Sequence, residues 1–358
     1  MAFSLDELIG PGWAIWVKNP LAINRRIDPT QGSARIRCKN DKRYLLSAGW
    51  NGHGRAERQH RRDTASLADA HLVKEEGRNM SVKRVLLPVG GNGNLESLSD
   101  TAFHVAERLS AQVMGLFVQP RGLVIPYFDV TGMEETSTLI ETVQQSKREA
   151  AARAQVTFEA SVGRFPHVES VFRSIVGDVE ASFIEYSRLA DLSVIMPPDP
   201  LEDGFWGSPY WLDVQNATLF RSGRPVLFVP PRAIRPSFDT VVIAWKESLE
   251  AARAIAAAQP FMTLARQVHL LTITDEGDAT TSLRQAEEYL SLHYDEVRGE
   301  IITGEPHEVG KLLLAQAYRL GALLVMGAYS HWRWRERLLG GVTDYVLREA
   351  SIPVLMMH

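Results

Sequence analysis

The sequence predicts an α/β protein built from two tandem, five-stranded, mostly parallel open twisted sheets flanked by helices. Three observations lead to this prediction. Short apolar runs rich in branched residues alternate with segments whose apolar residues recur at helical spacing. The apolar runs are continuous, as expected for parallel strands covered on both faces. The same order of elements occurs twice between residues 80 and 358.

The first copy begins at Val82 and ends near Pro230. Each predicted strand is a short apolar run bounded by turn residues, and each predicted helix shows apolar residues at helical spacing or a polar, Ala-rich stretch. In chain order we predict a strand in "VKRVLLPV" (Val82–Val89), a helix in "LESLSDTAFHVAERLS", a strand in "AQVMGLFV" (Ala111–Val118), a helix over Met133–Val162, a strand in "HVESVFRSIV", a helix in "GDVEASFIEYSRLA", and strands in "DLSVIMP" and "RPVLFVP".

The second copy repeats these elements in the same order. The Pro-rich stretch Val229–Ser237 is predicted to be the linker between the copies, so we assign residues 80–231 to the first domain and residues 238–358 to the second. The matches are "FDTVVIAW" (Phe238–Trp245) with the first strand, "LEAARAIAAAQPFM" with the first helix, "RQVHLLTI" with the second strand, Gly304–Gly327 with Gly177–Pro197, and "SIPVLMM" with the last strand.

Residues 1–79 differ from the rest of the chain. The segment 24–78 holds thirteen basic and seven acidic residues, a net charge of +6, and lacks sustained apolar periodicity. We therefore expect it to be disordered or only marginally structured. Two interpretations stay open: a basic arm that contacts an anionic partner, or a dispensable extension in front of a natural start at Met80.

Composition excludes several classes of protein. The chain has 358 residues, 45% apolar and 23% charged, with a net charge of −4, which is ordinary for a globular protein and gives no reason to expect nucleic acid as a partner. Cys38 is the single cysteine, so neither an intrachain disulfide nor a cysteine metal cluster can form. The N-terminus lacks the features of a secretory signal, and no apolar run reaches the roughly 18 residues that span a bilayer. We expect a cytoplasmic protein without membrane contact.

The second copy carries a glycine pattern after its fourth predicted strand. Gly327 ends the strand, Ser330 follows three residues later, and nine further residues lead to Gly340 and Gly341, then Val342 and Thr343. Backbone N–H groups at glycines in front of a helix N-terminus are a common way to bind a phosphate. The alternative is a tight turn before a helix, because glycines also punctuate ordinary turns.

These stretches together resemble the universal stress protein family, above all "VVIAWKESLEAARA", "GEPHEVGKLLLAQAYRLGALLVMGAYS" and "LLGGVTDYVLREASIPVL". The resemblance covers residues 80–358 and implies an adenine nucleotide alpha hydrolase-like fold. Many members bind ATP through Gly-x-x-Gly, nine residues, then Gly-Ser or Gly-Thr. It therefore implies that ATP would contact Gly327, Ser330, Gly340, Gly341, Val342 and Thr343 with its phosphates, while Ala244, Trp245 and Lys246 would flank the base or ribose.

The pattern departs from that of the family at three positions of the second copy. Ser330 replaces a glycine, Gly341 replaces the hydroxyl residue, and Lys246 stands where nucleotide-binding members have Asp. In the first copy both the spacing and the glycine pair are lost, and Gly90 stands at the Asp position. We expect no nucleotide in the first copy, and we assign the aromatic stretch Phe205–Trp211 to packing or partner contact.

The resemblance implies a cytoplasmic regulatory or protective module of the stress response. We expect no enzyme, no catalytic residue and no metal site, because neither a nucleophile–base pair nor a metal motif stands out. Two alternatives stay open: an interaction protein that binds no nucleotide, and a slow ATPase. As partners the resemblance implies a pseudo-dimer of the two copies within the chain. A homodimer of chains and an unidentified protein partner also stay open.

Overall fold

A computed structural model describes residues 24–27, 33–37, 43–47, 81–90, 95–121, 133–198, 207–230, 237–275, 279–328 and 341–358. The chain divides into two compact units, Met1–Met80 and Ser81–His358. Each unit is described by itself below.

The first unit contains three short strands. These are β1 (Asn24–Ile27), β2 (Ser33–Arg37) and β3 (Arg43–Ser47), and they pair antiparallel in the order β1-β2-β3. The prediction of a disordered or only marginally structured segment did not specify these strands. The signal for β2 is short: Ala34 and Ile36 alternate with polar residues, the period of a strand.

Among its described residues, the second unit begins with five strands and four α-helices. The strands and the first three helices follow the predicted order, whereas the fourth helix, between the fourth and fifth strands, was not predicted. Hydrogen bonds connect the first helix to the long second helix. Arg164 of the second helix donates from Nε and Nη2 to Oδ1 of Asp100 of the first, at 2.9 and 2.6 Å. The elements are β4 (Arg84–Pro88), α1 (Glu96–Leu109), β5 (Gln112–Pro120), α2 (Met133–Arg164), β6 (Ser170–Gly177), α3 (Val179–Arg188), β7 (Leu192–Ile195), α4 (Ser208–Gln215) with a π-turn at Asn216–Phe220, and β8 (Val226–Phe228).

The second half of this unit repeats the strand and helix order. Its first helix is capped by Ser248, whose Oγ accepts from the backbone N–H of Ala251 at 3.2 Å. The elements are β9 (Thr240–Ala244), α5 (Leu249–Leu264), β10 (Gln267–Thr274), α6 (Thr280–Ser291), β11 (Val297–Thr303), α7 (Val309–Arg319), β12 (Leu323–Gly327), α8 (Val342–Glu349) and β13 (Val354–Met357).

All ten strands of the second unit form a single sheet in the order β11-β10-β9-β12-β13-β8-β7-β4-β5-β6. Every neighbouring pair is parallel except β13 and β8, which pair antiparallel with Leu355 opposite Leu227. The prediction of a mostly parallel α/β fold flanked by helices is confirmed. The prediction of two separate five-stranded sheets is wrong.

The reason for the single sheet lies in the last strand of each half. An edge strand carries unpaired backbone N–H and C=O groups, and β8 and β13 satisfy theirs by pairing with each other. Leu227 and Leu355 are both fully buried at this seam, and the buried apolar residues of both halves form a continuous core. Among the helices of the described residues, none is both long enough and apolar enough to cross a membrane.

Candidate functional site

The strand order creates a crevice at the carboxyl edge of the second half. β9 and β12 are neighbours with Val241 opposite Leu323, yet the chain leaves β9 towards β10 and leaves β12 towards β13. Where connections diverge in this way in an open α/β sheet, ligands bind outside the carboxyl ends of the strands. Ala244 and Gly327 end β9 and β12, so the structure brings these two predicted site residues to the same edge.

Gly327 packs directly against the first turn of α5. A Cβ added to Gly327 would lie 2.7 Å from the carbonyl carbon of Glu250 and 2.8 Å from the backbone nitrogen of Ala251. Such distances are too short for any side chain, so the helix could approach this strand end only where the residue is glycine. Packing therefore accounts for this glycine whether or not a phosphate lies nearby.

The residues after β9 differ in what their side chains face. The indole N–H of Trp245 donates to Oγ of Ser282 on α6 at 3.1 Å, and the hydroxyl of Thr272 donates to the carbonyl of Trp245 at 3.1 Å. Trp245 is half-buried and held by these two bonds. Lys246, the next residue, is exposed to solvent. It is the charged one of the three residues predicted to flank the base or ribose.

Gly341 is the N-cap of α8 and has an extended backbone with φ −72° and ψ 161°. Nothing among the described residues lies within 4 Å of a Cβ added there, and its carbonyl accepts from the N–H of Tyr345 at 3.0 Å. Val342 is half-buried, and Thr343, with 6% of its surface exposed, lies in the first helical turn. As far as the described residues go, the start of α8 thus leaves space for a side chain at Gly341.

Two predicted phosphate residues, Ser330 and Gly340, lie in the segment 329–340, outside the described residues. The arginines and tryptophans of this segment lie there too. The residue before the segment is well defined: the N–H of Ala328 donates to the carbonyl of Met357 at 2.9 Å, and Nδ1 of His358 lies 3.0 Å from the carbonyl oxygen of Ala328.

The first half has the same strand order but a filled carboxyl edge. Trp211 and Tyr210 on α4 are buried, with 1% and 3% of their surface exposed, and burial raises the pKa of the Tyr210 hydroxyl far above its ordinary value. A Cβ added to Gly90, just after β4, would lie 2.9 Å from Cζ2 of Trp211. The sequence assigned this aromatic stretch to packing or partner contact. It held no signal that Trp211 would meet Gly90.

An acidic group of side chains lies beside α4. Asp178 caps α3 by accepting from the N–H of Ala181 at 2.8 Å, and Glu180 pairs with Arg221 at 2.9 Å. Burial, and after it the charges of Glu180 and Asp178, raise the pKa of the Asp213 carboxyl. Negative charge of this kind disfavours a phosphate near Asp213, in the last turn of α4.

Comparison with known proteins adds a family to this geometry. Residues 237–358 match the model of the Universal stress protein family. A search of curated proteins found no match. Among solved structures, a universal stress protein from Archaeoglobus fulgidus DSM 4304 has 21% identity and a TM-score of 0.56, with 76% of this chain and 97% of that chain covered.

A second solved structure, a putative universal stress protein from Pseudomonas aeruginosa UCBPP-PA14, has 16% identity and a TM-score of 0.49, with 78% of this chain and 95% of that chain covered. At such identities the likeness to the Archaeoglobus protein concerns the fold. Residues 237–358 thus carry a universal stress protein family domain, in a chain with the α/β fold of a universal stress protein of known structure.

Proposed function

We propose that the chain is a tandem universal stress protein that binds ATP in its second half. In this proposal it is a cytoplasmic regulatory or protective module of the stress response and catalyses no reaction. The observation that carries the proposal is that no described residue lies within 4 Å of a Cβ added at Gly341, at the N-terminus of α8, the helix that follows β12 in the chain. A helix N-terminus with room for an anion favours a phosphate.

The described residues supply part of a nucleotide site. The first intrahelical bond of α8 runs from Tyr345 to Gly341, so the N–H of Val342 precedes it and is of the kind that a helix leaves for an outside acceptor. Lys246 is exposed at the end of β9 and can place an ammonium group near a phosphate. Trp245 contributes less to a base contact than the sequence implied, because its indole N–H already bonds Ser282.

The regulatory step we propose is a shift of population between a nucleotide-bound and a nucleotide-free state. Its physical basis is the position of β12 next to β13, the strand that joins the two halves through β8. Ala328, just before the segment 329–340, is hydrogen-bonded to the end of β13. A nucleotide that contacts this segment would therefore act on the strand at the seam.

Two variants of Gly341 test the proposal at the same position. Both Gly341→Ser and Gly341→Asp have room for the side chain, and both Ser and Asp are favourable N-caps, so both variants keep the fold. Only Asp brings a negative charge towards the phosphates. Calorimetric titration of the full chain with ATP is expected to show unchanged or tighter binding for Gly341→Ser and at least a tenfold loss for Gly341→Asp. Equal binding by both variants would contradict a phosphate site here.

A second function is favoured by one specific observation. A groove with a volume of about 250 Å³ is lined by Leu314, Tyr318 and Ile352, among others, and Tyr318 is 68% exposed. An exposed aromatic beside apolar side chains is typical of a contact with another protein. If no form of the chain binds ATP at millimolar concentration, an interaction protein of the same fold is the better description.

A further inference from the structure

We propose that the indole ring of Trp211 fills the ligand crevice of the first half, and we call the ring in this role the plug. Removal of the ring would turn the crevice into a binding site for a planar nitrogen heterocycle. This inference goes beyond the proposed function and does not depend on ATP binding in the second half. It rests on strand register, burial and one close contact.

The register identifies which residues of the two halves are equivalent. Val85 of β4 lies opposite Leu192 of β7, as Val241 of β9 lies opposite Leu323 of β12. Counting from these pairs to the carboxyl edge, Gly90 corresponds to Lys246 and Met196 corresponds to Gly327. The position that admits a helix turn in the second half therefore holds a methionine side chain in the first, and that side chain is 7% exposed.

Trp211 occupies the space next to Gly90, the other of these two equivalent positions. Three atoms of its ring, Cζ2, Cε2 and Nε1, lie 2.9, 3.4 and 3.6 Å from the place where a Cβ of Gly90 would stand. Lys246, the counterpart of Gly90, is exposed to solvent. The absence of a Cβ at Gly90 is therefore what lets the indole lie against the chain just after β4.

The first half places Trp211 there because its helix α4 starts earlier than α8, the corresponding helix of the second half. Pro225 and Pro353 precede the two paired last strands, and counting back from them makes Val342, the first residue of α8, the counterpart of Val214. The helix of the first half has already begun at Ser208. Trp211 lies in this earlier part of the helix, three residues before Val214.

The contacts of Trp211 show that shape and burial hold its ring. Nε1 is buried and has no hydrogen-bond partner among the described residues. Tyr210, the neighbouring residue on α4, packs edge-on against the indole at 5.7 Å between ring centroids. Removal of the indole would leave a flat space with Tyr210 as an aromatic wall, and such a space suits a planar heterocycle.

The test compares the full-length chain with Trp211→Gly, using adenosine as the probe and indole as a second one. Phe261→Ala is the matched control, because Phe261 is equally buried but is a core residue of α5, in the second half. A closed core cavity accepts indole and has no exit for a ribose. We expect adenosine at 100 times its Kd to raise the melting temperature of Trp211→Gly by roughly 5 °C more than that of the wild type, and not that of Phe261→Ala.

Two results would overturn the proposal. A folded Trp211→Gly chain that gains binding of indole but not of adenosine would make Trp211 an ordinary core residue, and so would a folded chain that gains neither. If Trp211→Gly does not fold, Trp211→Leu is measured with adenine, which lacks the ribose. If adenine raises the melting temperature of Trp211→Leu more than that of the wild type, the proposal is supported. If adenine leaves the melting temperature of Trp211→Leu unchanged, the proposal is overturned.

Discussion

Gly327 at the end of β12 touches Glu250 in the first turn of α5, so closely that a Cβ on the glycine would lie 2.7 Å from the carbonyl carbon of Glu250. The contact is between backbone atoms of two elements, and neither can move by a rotamer change. This glycine is thus a requirement of the fold as well as a member of the glycine pattern.

Gly327→Ala is expected to lower the free energy of unfolding by about 1–3 kcal/mol, because the helix must shift to admit the methyl group. Gly341→Ala is the matched control, since no described residue lies within 4 Å of a Cβ added at Gly341, and should cost less than about 1 kcal/mol. Urea unfolding of both variants measures the difference. Equal losses would show that the contact with α5 does not restrict Gly327.

Arg164 is expected to stabilise the packing of α1 on α2 through the fork of its guanidinium. It bonds Asp100 through two nitrogens and lies 3.1 Å from Glu96, while remaining partly exposed. Arg164→Lys keeps the charge but loses the fork, and should cost about 1 kcal/mol. Arg221→Lys, in a more exposed pair with Glu180, should cost almost nothing. Thermal unfolding distinguishes the two, and a reversed order would contradict the assignment.

His269 on β10 is expected to make the fold less stable as the solution becomes mildly acidic. Burial, and then the neighbouring Arg298 and Arg319, lower the pKa of His269, although Glu300 opposes them. The unfolded chain therefore binds this proton at a higher pH than the folded chain. Stability is lost as the pH falls through the unfolded value of about 6.5 and levels off below the folded value.

The substitution His269→Gln removes this titration. We expect the melting temperature of the variant to fall less than that of the wild type between pH 7.5 and pH 5.5, as measured by circular dichroism at matched ionic strength. Parallel curves for the two proteins would show that His269 does not contribute.

The seam between β8 and β13 is expected to make both halves unfold together. Leu355 is fully buried where the two strands pair, and Leu355→Ala should cost about 2–5 kcal/mol. Because the halves share one sheet and one core, the variant should still unfold in a single transition. Denaturant unfolding followed by both fluorescence and circular dichroism checks this. Two separated transitions would contradict a cooperative ten-stranded unit.

Much of the fold could be predicted from local patterns. The run "VKRVLLPV" contains β4, and the helix expected over Met133–Val162 is observed over Met133–Arg164. Helical and strand periodicity report which residues are buried within one element. They do not report which edge strand meets which. A pairing of the two copies was therefore expected only from the family resemblance, and the single sheet was not predicted.

The candidate site could be predicted only in part, because local spacing locates the ends of strands and helices but not the contacts between them. The glycine pattern placed Gly327 at a strand end and predicted a helix start near Gly341, and α8 begins at Val342. The bond between Trp245 and Ser282 and the contact between Trp211 and Gly90 join residues far apart in sequence. A pattern of local spacing contains no information on such contacts.

The most direct test of the central claim is the number of ATP molecules that each chain binds. Calorimetric titration of nucleotide-free, full-length protein with ATP gives this number. We predict a single saturable site per chain, because no described residue fills the space at Gly341 in the second half, whereas Trp211 lies against Gly90 in the first. No detectable binding at millimolar ATP would contradict a nucleotide site in the second half, and two sites per chain would contradict the filled crevice in the first.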